Sequence, residues 1–101
     1  MIVIAGRVSL DPANHDHAVK AALEMMAATQ QEAGCISYTF SAELEERGCF
    51  RIFEEWESAD ALEVHFQAPH MAVFQQAVAE LGVREMAVQR YEVTGVGPVR
   101  P

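Results

Sequence analysis

CISYTFSAELEERGCFRIFEEWE, residues 35–57, is the stretch on which the fold turns. Its ends, 35–43 and 49–57, are rich in aromatic and β-branched residues, while the middle, Leu44-Glu45-Glu46-Arg47-Gly48, is polar and carries a glycine. Two strand-forming runs around a short glycine-bearing turn predict a β-hairpin. Centred near Glu46, the pairing sets Cys35 opposite Glu57 and Cys49 opposite Glu43. The two sulfurs are then roughly 27 Å apart, at about 3.4 Å per strand residue, too far for a disulfide. Alternation divides the second of these strands into Phe50, Ile52, Glu54 and Trp56 on one face and Arg51, Phe53 and Glu55 on the other. In the first, Ile36, Tyr38 and Phe40 alternate with Cys35, Ser37 and Thr39.

On the N-terminal side, residues 14–33 place Val19, Ala22, Leu23, Met26, Ala27 and Ala33 at the period of an amphipathic helix, and Gly34 stands where a helix should stop. Before it, IVIAGRVSL at residues 2–10 is a strand ending at the Asp11-Pro12 turn, and its apolar character predicts a central position. On the C-terminal side, Ser58 caps a short helix, SADALEVHF, with Asp60 in its first turn. Pro69 begins another helix, with Met71, Phe74, Val78 and Leu81 at helical spacing up to Gly82. A last strand over about Glu85–Val96 follows.

The order β, α, β, β, α, α, β predicts an α+β fold of ferredoxin-like kind: a four-stranded antiparallel sheet in the order 4-1-3-2, with helices on one face. One domain covers residues 1–97, and 98–101 form a loose tail. Helices on one face leave the other bare. Large apolar groups occur on both faces of the strand 49–57, so a symmetric homodimer pressing sheet to sheet is expected.

Composition narrows the functional classes. A chain of 101 residues holds one core, and with 50% hydrophobic and 22% charged residues it is globular rather than disordered. Seven Lys and Arg against a net charge of −8 argue against a nucleic-acid partner or an anionic membrane. Neutral or cationic small molecules suit that surface better. Met1–Leu10 lacks the pattern of a signal peptide and no run reaches the length of a membrane span, so a cytoplasmic protein is expected. Two cysteines make neither a disulfide framework nor a zinc site.

Three segments carry a resemblance: Glu32-Ala33-Gly34-Cys35-Ile36-Ser37-Tyr38, then Glu54-Glu55-Trp56-Glu57-Ser58, then Leu62-Glu63-Val64-His65-Phe66-Gln67-Ala68-Pro69-His70-Met71. In this order and spacing they resemble the antibiotic biosynthesis monooxygenase domain over about residues 2–93, and its quinol monooxygenase-like branch in particular. The resemblance implies a dimeric α/β-barrel. It also implies oxidation of hydroxylated aromatics by molecular oxygen with no metal, flavin or haem, so no cofactor is expected. Other branches degrade haem or act on small ketoses. The haem-degrading pattern fails here at Gly6 or Arg7, His65 and about Gln75; of the polyketide-quinone pattern only Trp56 survives, with Ile52, Leu62 and Gln75 at the other places. The Trp56, His65 and His70 pattern of the quinol-like branch is intact.

His65 and Trp56 are the expected catalytic residues. His65 shares a helical stripe with Ala61 and Leu62, which points its ring toward the sheet, and imidazoles exchange protons near neutral pH. The plainer alternative is a buried histidine satisfied by a carbonyl. Trp56, where a strand gives way to a helix, could wall an aromatic pocket and orient a substrate oxygen through its N–H, or simply fill the core. His70, Tyr38 and Arg51 are the expected substrate-binding residues. Their alternatives are a helix cap, a cross-strand packing residue and a partner for a neighbouring glutamate. Glu54 reads as structural. His15 and His17 read as surface residues, and neither their spacing nor that of His65 and His70 gives two metal ligands on one helix face, so no metal is expected. The partner is then a small aromatic or quinol-type molecule. A non-catalytic binding or stress-response module, or an isomerase of a small keto compound, would use the same pocket.

Overall fold

The computed structural model describes residues 1–100. Strand β1 (Ile2–Leu10) is central, pairing antiparallel with both β3 (Cys49–Trp56) and β4 (Val83–Glu92), while β2 (Cys35–Ala42) pairs with β3 on the other edge. The sheet order β2-β3-β1-β4 is the expected order read from the opposite edge. After β1, Asp11 accepts a hydrogen bond from the Ala13 N–H at 3.0 Å and caps a 3-10 turn, Pro12–Asn14, that feeds helix α1 (His15–Thr29). Helices α2 (Ala59–Phe66) and α3 (Pro69–Ala79) lie between β3 and β4 in the chain. Among the described residues, no helix is long and apolar enough to cross a membrane.

The hairpin register is the expected one from Ser37↔Glu55 to Ala42↔Phe50. At its start a bulge sets Cys35 opposite Trp56 instead of Glu57, whose N–H donates to the Gly34 carbonyl at 2.9 Å. Both cysteines are free. Opposed residues share a face, so Tyr38, Phe40, Phe50, Ile52, Glu54 and Trp56 all lie on the helix side with Ile2, Ile4 and Val8.

The end of α1 and both ends of β4 differ from expectation, each for a local reason. Helix α1 stops at Thr29 rather than Ala33. The Glu32 N–H bonds to the Thr29 carbonyl and the Cys35 N–H to the Glu32 carbonyl, turning the chain toward α2. Gly34 adopts φ +82°, and a Cβ there would stand 2.5 Å from the Ala61 Cβ, so only glycine allows this approach. Strand β4 runs from Val83 to Glu92 rather than from Glu85 to Val96. It starts at once after Gly82, and at its far end Ile2, opposite Glu92, is the first residue of β1, so the ladder runs out. Beyond it, Gly97–Arg100 form no regular element and are exposed; Pro101, the end of the expected tail, lies outside the described residues.

The predicted cap on α2 is present: Ser58 is extended and its Oγ accepts the Ala61 N–H at 3.1 Å, with Asp60 in the positive first turn. Ala68 is extended, as a residue before proline should be, and α3 begins at Pro69. The helices bury two apolar clusters against the sheet. Ile2, Met25, Tyr38, Trp56 and Leu62 form one; Leu10, Ala18, Phe50 and Leu81 form the other. At roughly 1.5–3 kcal/mol for each large apolar side chain, these clusters are what the fold rests on. The opposite face of the sheet is uncovered.

Candidate functional site

The site grows from the end of the sheet where β3 passes into α2. Strand alternation puts Glu54 and Trp56 on the helix side, two residues apart, and the Trp56 indole N–H donates to Glu54 Oε1 at 3.0 Å. His65 is in the last turn of α2, where the carbonyl end of the helix suits a positive charge. Its ring lies 4.7 Å from that of Trp56 and 5.4 Å from that of Tyr38, centre to centre. Trp56 is 0% and His65 1% exposed. Indole and imidazole are therefore on the same side of the sheet and out of bulk solvent.

Two further groups close the cluster. Glu32 reaches in from the turn after α1, and its Oε2 lies 2.7 Å from His65 Nδ1 and 2.7 Å from His70 Nε2. His70 is in the first turn of α3 and partly exposed. Three separate segments thus converge on one carboxylate oxygen. Of the expected site residues, His65, Trp56, Tyr38 and His70 are brought together. Arg51 is not: it points from the other face of the sheet, where it donates to Glu43 Oε1 at 3.0 Å beside Arg7, which binds the same oxygen at 2.9 Å. Arg51 and Arg7 are directly opposed across β3 and β1, and the shared glutamate offsets their repulsion.

Burial governs the charges. It pushes the Glu54 carboxyl up from 4.5 to about 7; the Trp56 N–H pulls it down, and the Glu32 charge adds a further push upward. Burial also raises the Tyr38 hydroxyl, with Glu54 and Glu32 adding to the effect, so the phenol stays protonated. The Cys35 thiol is raised by burial, then by Glu32 and Glu54, which disfavours the thiolate.

Glu32, His65 and His70 offer ligand atoms within 4.8 Å of one another, as do Glu43, Glu46 and Cys49. Spacings within each helix give no pair of metal ligands, but a third donor, Glu32, arrives from the α1–β2 turn. In the first group the 2.7 Å contacts are hydrogen-bond lengths. Ligands at about 2.1 Å around one tetrahedral ion would stand roughly 3.4 Å apart. In the second group the Arg7 guanidinium already occupies all three, with its Nη2 3.0 Å from Cys49 Sγ, and its charge opposes a cation.

An apolar cavity of about 60 Å³ lies between the sheet and helices α1 and α3, walled by Val8, Phe40, Phe50, Ile52, Phe74 and Val78 among others. Sequence reasoning expected a hollow lined by the imidazole and the indole themselves. The hollow exists, but those rings stand behind its wall. Phe74 packs on Phe40 at 5.5 Å, Phe40 on Tyr38 at 5.4 Å, and Tyr38 on His65, so a continuous run of rings joins cavity to cluster. Glu32 was missed altogether as a site residue, and Glu54 was read only as structural. The alternation Glu54-x-Trp56 was the available signal for the second; for the first there was none beyond a carboxylate beside a glycine.

Fold and site together define the class: a ferredoxin-like α+β domain with a largely buried polar cluster between its sheet and its helices. The family profile described as antibiotic biosynthesis monooxygenase matches residues 1–77, and the chain belongs to that family. A Deinococcus radiodurans protein described as a candidate antibiotic biosynthesis monooxygenase superposes with TM-score 0.90 at 26% identity, covering 100% of both chains. A conserved Bacteroides thetaiotaomicron protein described as a candidate oxidoreductase gives TM-score 0.83 at 30% identity, over 91% of this chain and 96% of that one. An uncharacterized Synechocystis protein is 28% identical over 92 residues, which are 91% of this chain; the chain spans 63% of that relative's length.

Proposed function

We propose that this chain is a monooxygenase that oxidises a small hydroxylated aromatic or quinol with molecular oxygen and needs no bound cofactor, with His65 as its base and Trp56 as a wall of the site. Family membership supports the reaction class. The observation that carries the residue assignment is the sealed contact of the His65 imidazole with Trp56 and Tyr38, joined by aromatic rings to an apolar cavity. The substrate gives a proton to His65, and its anion supplies electrons to oxygen. A quinol bearing a ring C–H then becomes a hydroxyquinone: one oxygen atom enters the ring and the other leaves as water. A dry pocket and orientation are the protein's share.

Substrate entry requires movement, because a cavity of about 60 Å³ is smaller than the roughly 150 Å³ that admits benzene. Helix α3 is the wall best able to yield: it has no fully buried residue, and it contributes Phe74 and Val78 to the cavity. The Trp56 N–H, held by Glu54, is not free to orient a substrate oxygen unless that bond is exchanged. The sealed state of both rings favours a second reading, a small-molecule binding module without turnover. In either reading the chain works as a homodimer.

Oxygen uptake by metal-stripped protein with a panel of reduced naphthoquinones separates the two. The expected outcome is saturable uptake that His65→Ala lowers by about 100-fold or more. Uptake no faster than buffer for both proteins across the panel would leave the binding module.

A further inference from the structure

We infer that Glu32 is the positioning residue of this site: it fixes the tautomer of His65, and His70 in turn holds Glu32. The inference rests on the reading of His65 as a base. An ionised carboxylate can only accept hydrogen bonds. Glu32 Oε2, at 2.7 Å from His65 Nδ1, therefore holds the neutral ring with its proton on Nδ1 and leaves Nε2 as the basic nitrogen. When Nε2 takes a proton from the substrate, the imidazolium forms against a carboxylate already in place. That proton is given back when the peroxide formed on the substrate loses water, so none is left on the protein after a turnover.

One donor would hold this carboxylate loosely. Glu32 sits on the turn after α1, mostly buried, and reaches neither a lysine nor an arginine. His70 supplies the second N–H at 2.7 Å to the same oxygen and does so from α3, the first residues of the helix that walls the cavity. Movement of α3 to admit a ligand thus acts on His70 first, and through Glu32 on His65. Neither Glu32 nor His70 needs to touch the substrate for this role.

The test uses the full chain labelled with ¹⁵N-histidine. Long-range ¹H–¹⁵N spectra near pH 8 should show His65 protonated on Nδ1 in the wild type, and mainly on Nε2 in Glu32→Ala. In oxygen uptake, Glu32→Ala should lower kcat about 100-fold or more with KM within about threefold, since the residue acts on the base and not on binding. His70→Ala, the second variant should Glu32→Ala fail to fold, retains the Glu32 side chain but frees it from its second donor, and should give a mixture of His65 tautomers and a smaller loss, about 10-fold. A wild-type His65 protonated on Nε2 overturns the inference, as does a His65 spectrum unchanged in Glu32→Ala. One equivalent of tightly held zinc, lost in His70→Ala, would overturn it in favour of a metal centre. Loss of uptake in His65→Ala but not in Glu32→Ala would remove Glu32 and leave the base assignment standing. The predicted tautomers without uptake on any quinol would instead keep Glu32 in its positioning role and remove the oxygenase.

Discussion

Trp56 and Glu54 form the most consequential pair of residues in the core, because each limits what the other can do. The indole N–H satisfies a carboxyl that is only 8% exposed, and the carboxyl occupies the donor that a ligand would otherwise use. With its folded value raised from 4.5 to about 7, Glu54 keeps a proton in the folded chain that the unfolded chain has already released. Its contribution is therefore complete below pH 4.5 and is lost as the pH rises to about 7, a change on the order of 3 kcal/mol for a shift of this size. Glu54→Gln keeps an acceptor for the indole and removes the titration. Urea unfolding at pH 5 and pH 8 should show the variant gaining stability relative to wild type at the higher pH; an equal difference at both would contradict the assignment. Trp56→Phe should cost about 3 kcal/mol or less from the lost donor and packing, with the larger cost at pH 8, where the orphaned carboxyl is ionised.

At the level of elements, the turn between α1 and β2 decides whether a site exists. Gly34 lets the chain pass within contact of Ala61, and two residues earlier Glu32 enters the cluster. Gly34→Ala should destabilise the fold by about 1–3 kcal/mol, from the positive φ and the contact with Ala61, and should also perturb the His65 ring resonances. Thermal melts and histidine spectra would check both effects. A variant of wild-type stability with an unmoved His65 would contradict this account of the turn. This is also where the limits of sequence reading are clearest. The hairpin register, the helix-side placement of Trp56 and the inward-facing stripe with His65 were legible, because alternation and helical period are local properties. The position of Glu32 was not, since it depends on α1 stopping at Thr29. The apolar pattern running on to Ala33 concealed that stop. Alternation also put Arg51 on the face opposite Trp56, and of its two readings the Glu43 bond matches the partner for a neighbouring glutamate rather than the substrate-binding residue.

The whole molecule has one covered and one uncovered sheet face, with Phe53 and Tyr91 about half exposed on the latter and β4 scarcely shielded on either side. Such a surface is the basis for the proposed sheet-to-sheet homodimer. Light scattering should give twice the chain mass at micromolar concentration, and Phe53→Glu should shift the protein toward monomer without unfolding it. A monomeric wild type would contradict the dimer. The central claim concerns the inner face instead: that a ligand is taken up where the apolar cavity meets the ring cluster. Trp56 is the single tryptophan in the chain and packs on Tyr38, the ring that joins the cluster to the cavity residue Phe40, so its fluorescence reports on that junction through Tyr38. Titration with a redox-inert naphthol should change Trp56 emission saturably in the wild type, and Ala22→Leu, which fills the cavity beneath α1, should abolish the change. No saturable response in the wild type, or the same response in both proteins, would contradict it.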